Sequence, residues 1–156
     1  MLRTYNAKAT FFCIGKNLAA HELIHKTIIK EGHTIGNHTY DHLNGWRTPD
    51  RVYYRSVLKC KEITGSKLFR PPYGRIKREQ ASVLLSRFKI VMWDVLSGDF
   101  DQKTSKEKCV DNVVDNAGRG SIIVFHDSLK AQEKMQYALP RVLEHFSLLG
   151  YAFRAL

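Results

Sequence analysis

The sequence predicts one α/β domain built on a parallel sheet. Three observations point to it. Apolar runs of strand length alternate with amphipathic segments of helix length along the whole chain. The apolar runs are near-continuous rather than strictly alternating, as in strands covered on both faces. The 156 residues, 44% hydrophobic and 26% charged, have ordinary globular composition and suffice to bury a core without metal or disulfide support. An open doubly wound sheet and a barrel both fit this rhythm.

Residues 1–8 (MLRTYNAK) resemble the tail of a helix. Residues 9–14 (ATFFCI) read as a buried strand. Residues 16–30 carry Leu18, Ala19, Leu23, Ile24 and Ile28 at helical spacing, and Gly32 supplies a stop. A short extended piece is expected at 34–36. Thr48-Pro49-Asp50 reads as an N-cap, a proline at the first helical position and an acidic first turn. The helix it opens would carry Val52, Tyr53, Val57, Cys60 and Ile63. Leu68-Phe69-Arg70 reads as a strand stopped by Pro71-Pro72, followed by a helix over 77–87 and a strand over 89–95 (KIVMWDV). Thr104 to Glu107 fits a capping box for a helix reaching about 117. Residues 121–125 (SIIVF) form another buried strand. A last helix is expected over 133–149, kinked or restarted at Pro140, with a final short strand over 151–154.

The net charge of +10 attracts polyanions, but Lys and Arg are spread along the chain without a basic stripe or a nucleic-acid motif, so nucleic acid is not an expected partner. Cys13, Cys60 and Cys109 include no C-x-x-C, which excludes a zinc ribbon or a thioredoxin-like site, and their odd number argues against a disulfide framework. The opening residues hold no apolar signal-peptide core, and no apolar stretch has spanning length.

Three loops carry residues fit for chemistry. His38-Thr39-Tyr40-Asp41-His42 spaces two imidazoles four apart; on a helical turn both could reach one metal, and imidazole suits zinc, cobalt or nickel. Asp41 would point elsewhere. The alternative is a pair of surface or capping histidines. Phe69-Arg70-Pro71-Pro72-Tyr73-Gly74 is a stiff loop after a strand, where Arg70 could orient a carboxylate and a fixed backbone N–H could stabilise an oxyanion; it equally suits a plain structural turn. Phe125-His126-Asp127 also follows a strand, and there His126 could protonate a leaving group with Asp99 as its carboxylate partner. Trp93 and Phe100 could pack on a sugar face. Since each loop follows a strand, all are expected to gather on one rim of the sheet.

In order and context these segments resemble the polysaccharide deacetylase family, the NodB-homology domain of carbohydrate esterase family 4. KATFFCIG is similar to its second strand, GHTIGNHTYDH to its metal motif, FRPPYG to its R-x-P-Y loop, WDVLSGDF to its Asp-Trp segment and VFHD to its terminal His-Asp motif. The resemblance implies a distorted (β/α) barrel and a divalent metal, zinc first, held by His38 and His42. It implies that Arg70 holds the base carboxylate and that the Tyr73 backbone N–H aids the oxyanion. His126 would be the general acid, tuned by Asp99. The implied reaction is removal of acetyl groups, N-acetyl before O-acetyl, from a carbohydrate polymer such as peptidoglycan or a chitin-like oligosaccharide. A cell-envelope or secreted location follows from the same resemblance.

Two departures stand out. Phe100 replaces the usual Trp. The family's first motif, T-F-D-D, which supplies the catalytic base and a further metal ligand, has no counterpart, and no Asp-Asp pair occurs in the sequence. The chain is therefore expected to start after that first strand, to show weak activity alone, and to expose strand edges that favour homo-oligomers. The competing expectation is a non-catalytic relative that binds glycan or a partner.

Overall fold

A computed structural model describes all 156 residues. The chain divides into two compact units, Lys8–Met92 with Ala155–Leu156, and Met1–Ala7 with Trp93–Arg154.

The 8–92 unit holds four strands, β1 (Thr10–Cys13), β2 (Thr34–Asn37), β3 (Leu68–Phe69) and β4 (Lys89–Ile90), hydrogen-bonded in that order and all parallel. Parallel neighbours need crossovers. These are α1 (Gly15–Ala20) with α2 (Glu22–Lys30), then α3 (Asp50–Thr64), then α4 (Arg78–Leu85). Helix α3 turns Tyr53, Ser56, Val57 and Cys60 inward, the helical spacing of a buried face. Tyr53 and Val57 meet Phe69, Leu84 and Phe88 in the core. Gly36 is required in β2, because a Cβ there would lie 2.5 Å from the Phe12 ring.

The 93–154 unit pairs β5 (Val95–Leu96) with β6 (Ile123–Val124), also parallel, and adds α5 (Lys106–Val114) and α6 (Gln132–Leu148). Val95, Val113, Val142 and Phe146 form its core. The opening 3-10 turn Leu2–Tyr5 packs on α6. No helix is long and apolar enough to cross a membrane.

The architecture is α/β with parallel strands, as the rhythm predicts, but the hydrogen bonds close no barrel: they form two sheets. Several elements differ from the sequence reading. The expected strand 89–95 is two short ones, because Val91 N–H bonds to the Phe69 carbonyl of β3 while the N–H groups of Asp94 and Val95 turn to the carbonyl of Ile122, the residue before β6 in another sheet. The expected helix 16–30 breaks at His21 (φ −131°, ψ 60°). Thr48 caps nothing; its hydroxyl donates back to the Asn44 carbonyl, and Pro49 takes the cap position of α3. Ser105, not Thr104, caps α5 by accepting from Lys108 N–H. Residues 151–154 make no strand, and α6 runs unbroken through Pro140.

Candidate active site

In the 8–92 unit the site begins with Asn37, the last residue of β2. It is fully buried; its side-chain amide donates to the Val57 carbonyl (2.8 Å) and accepts from Thr39 N–H (2.9 Å). That clamp forces a tight turn. Thr39 and His42 both adopt left-handed backbone (φ 60° and 58°), sparsely populated for residues with a Cβ and rarer still for β-branched Thr. The Thr39 hydroxyl accepts from Leu43 N–H, and Ser56 on α3 meets Tyr40 and Asp41 N–H. The helical turn expected for 38–42 is thus absent; left-handed turns bring the two histidines together instead. Their ring centroids lie 5.0 Å apart, tilted by 57°. Asp41 accepts from the Ser56 hydroxyl (3.3 Å).

The second loop supplies the frame. His38 Nδ1–H donates to the Arg70 carbonyl (2.6 Å). A carbonyl can only accept, so the neutral ring carries its lone pair on Nε2, the tautomer fit for a cation. His42 Nδ1 lies 3.2 Å from the Tyr73 hydroxyl, and the two rings meet edge to face at 4.7 Å. Pro71 and Pro72 are buried, and Tyr73 is left-handed (φ 61°). Arg70 is buried too: Nε donates to Val91 O and Nη2 to Met92 O, and the guanidinium packs on Phe12 at 4.1 Å. Burial lowers its pKa to about 10, which leaves it charged at neutral pH. These bonds make Arg70 a brace between the ends of β3 and β4.

No cluster of three or more His, Cys, Asp or Glu side chains is assembled for a metal. Two imidazoles with one fixed tautomer are a donor set suited to zinc or its neighbours, with the remaining coordination left to other ligands.

In the 93–154 unit, Asp99 and His126 follow β5 and β6. Asp99 is fully buried, and its carboxylate accepts twice from one residue: His126 backbone N–H to Oδ2 (2.6 Å) and Nδ1–H to Oδ1 (2.8 Å). Both ring position and tautomer are thereby set. Phe100 packs edge to face on the His126 ring at 5.0 Å. Buried Ser97 steadies the turn, holding Asn112 through its carbonyl (2.9 Å).

The structure brings His38, His42, Arg70 and Tyr73 together within one unit, and Asp99 with His126 and Phe100 within the other. Because these loops follow strands of two sheets, the expectation of one sheet rim does not hold as stated. The sequence reading missed Asn37 and Ser56, the residues that shape the histidine turn. Asn37, two residues before a β-branched Thr in a short loop, was the available signal, since Asn side chains capture the N–H two residues on.

A sequence model described as polysaccharide deacetylase matches residues 1–86. A peptidoglycan-N-acetylglucosamine deacetylase of Bacillus cereus is 37% identical over 134 residues, covering 81% of this chain and 48% of its own length. A second protein of that name from the same species is 32% identical, covering 98% of this chain and 75% of its own length. The chain thus spans about half of the first relative. Among solved structures, a peptidoglycan N-acetylglucosamine deacetylase in complex with 4-naphthalen-1-yl-N-oxidanyl-benzamide superposes with a TM-score of 0.92 at 32% identity, covering 99% of this chain and 76% of that one.

Proposed function

Because the chain belongs to the polysaccharide deacetylase family, we propose that it serves the metal-assisted removal of N-acetyl groups from a peptidoglycan-like polymer. The observation that carries this reading is the His38–His42 pair, drawn to 5.0 Å by strained turns with the first ring's tautomer set by the Arg70 carbonyl. Strain of this kind costs about 1–3 kcal/mol per residue and persists where a site demands it.

His38 and His42 would hold the cation, zinc before cobalt or nickel. Such a cation would supply Lewis acidity, able to polarise a carbonyl and make a water more acidic. The chain's own residues do the rest. Arg70 fixes His38 through its carbonyl and closes the loop with its guanidinium. Tyr73 packs on His42, and its backbone N–H is the candidate oxyanion donor. His126, held through Nδ1–H by Asp99, would act in its imidazolium form, giving its Nε2 proton to the departing sugar amine and leaving the neutral Nδ1–H ring. The catalytic base and a further carboxylate ligand have no counterpart among these residues, so turnover by this chain alone should be weak.

The test is zinc titration by calorimetry on wild type, His38→Ala and His42→Ala, with acetate release from N-acetylated peptidoglycan measured alongside. Loss of zinc affinity in both variants supports the reading; three equal affinities would sink it. A second reading, a glycan binder without turnover, is favoured by the two-donor set. It predicts glycan binding that is unchanged when zinc is removed, with no acetate released.

A further inference from the structure

The loop after the histidine pair carries an aromatic side chain to which the site above gives no role. Trp46 is 57% exposed, and Tyr73, on the facing loop, is 61% exposed. Isolated exposed aromatics are common. Trp46 differs in how firmly it is fixed. Its indole N–H donates to the Ile76 carbonyl (3.0 Å), its backbone N–H to the Asn44 side chain (3.0 Å), and the Arg75 guanidinium lies 4.6 Å from its ring centre. Below it, Gly45 N–H donates to the Arg75 carbonyl (3.1 Å). Fully buried Gln80 donates to the Gly45 carbonyl and to Asp50, and accepts from Lys77 N–H. A Cβ on Gly45 would lie 2.5 Å from the Arg75 carbonyl oxygen, so the two loops can approach this closely only with glycine there.

These contacts form a seam between residues 42–47 and 73–76. One end is His42 against Tyr73, within the candidate metal site. The other end is Trp46 on Ile76 and Arg75. A large apolar side chain is therefore held partly open to solvent, fixed by three contacts, on the loop that follows the histidine pair. Such a side chain costs little entropy to use. Its indole N–H is already bonded and Arg75 lies over its ring, so what it offers a ligand is the apolar surface that Arg75 leaves open, with Arg47 exposed beside it in the sequence. A pyranose has the matching form: an apolar C–H face with a hydroxyl rim.

We propose that Trp46, braced by Arg75, is the floor of a subsite for a sugar ring neighbouring the one that loses its acetyl group, so that the chain prefers oligomers to single sugars. This rests on the carbohydrate reading above and adds a place and a residue to it.

The test titrates the full chain with N-acetylglucosamine and with chitotetraose while following the indole N–H signals of its two tryptophans, Trp46 and Trp93, by NMR. The tetramer should move the Trp46 signal. Trp46→Ala should weaken tetramer binding about tenfold, some 1.4 kcal/mol, and leave monomer binding unchanged, while Trp46→Phe keeps most of the affinity. Equal tetramer binding by wild type and Trp46→Ala would overturn the proposal. So would no tetramer binding by wild type, movement of the Trp93 signal alone, or a Trp46 signal that shifts with protein concentration before sugar is added, which would mark a self-association surface. The two readings fail separately. A Trp46 shift without acetate release from any substrate leaves the subsite standing and removes the hydrolase; acetate release from the tetramer with KM unaltered in Trp46→Ala does the reverse.

Discussion

The two histidine sites are held in place by opposite means. The 38–42 turn in the 8–92 unit contains no buried carboxylate. Left-handed backbone at Thr39, His42 and Tyr73 shapes it, with neutral bonds from Asn37, Ser56 and the Arg70 carbonyl. In the 93–154 unit a single fully buried carboxylate, Asp99, grips His126 by both backbone and ring. The first arrangement shares its load among many weak contacts; the second concentrates it in one charged group. Distributed sites should lose function by degrees, and concentrated ones at a stroke.

The sharpest way to break this contrast is Asp99→Asn. The amide can offer His126 only one acceptor and sets N–H against N–H at the other position, so the ring loses its fixed tautomer. Acetate release should fall about 10²–10⁴-fold, the range of general acid–base catalysis, and nitrogen NMR should show His126 Nδ1 losing its fixed proton. A loss below tenfold would show that Asp99 is not the single point of support. Asn37→Ala comes next. It strands the buried Thr39 N–H and takes the side-chain donor from the Val57 carbonyl, which keeps its helical bond; unfolding in urea should reveal a loss of about 1–3 kcal/mol, with weaker but measurable zinc binding. Tyr73→Phe removes one long bond of 3.2 Å to His42 while keeping the ring contact. Stability should change by less than about 1 kcal/mol, and calorimetry should find zinc affinity within tenfold; abolished zinc binding would show that the load is not shared.

The smallest expected effect lies in the pH response of the loop support. Lys77, 2.8 Å away, and then Gln80 hold the Asp50 carboxyl below its ordinary value of 3.8. A lowered folded pKa gives stability that is present above the unfolded value and lost as pH falls through the folded one. The melting-temperature difference between wild type and Asp50→Asn should therefore be constant near neutrality, begin to shrink below about pH 4, and vanish only once pH has fallen past the lowered folded value. A difference that persists at pH 2 would mean that Asp50 acts there by shape and not by charge.

How much of this was legible in the sequence varied with the range of the forces involved. The loop residues His38, Arg70, Asp99 and His126 could be picked out because strand ends and short-range chemistry mark them. The α/β rhythm was legible for the same reason. The 38–42 turn was misread because i,i+4 spacing suggests helix, whereas the buried Asn37 clamp selects left-handed turns. The 89–95 run gave one apolar signal for two strands, since alternation along a chain cannot reveal a change of pairing partner from Phe69 to Ile122. The break at His21 has no Gly or Pro to announce it. Trp46 was invisible because its standing depends on carbonyls of a loop thirty residues away.

The division of the chain has a bearing on how it is made. Met1–Ala7 belong with Trp93–Arg154, while Ala155–Leu156 belong with Lys8–Met92, and the Leu156 N–H reaches Thr10 across a separation of 146 residues. During vectorial synthesis, the Leu2–Tyr5 turn would emerge before α6, the helix it packs on, and can settle only once that helix has been made. Folding of the 93–154 unit is therefore closed by contacts distant in sequence, which slows assembly and leaves the Leu2–Tyr5 turn without its packing partner until α6 has formed.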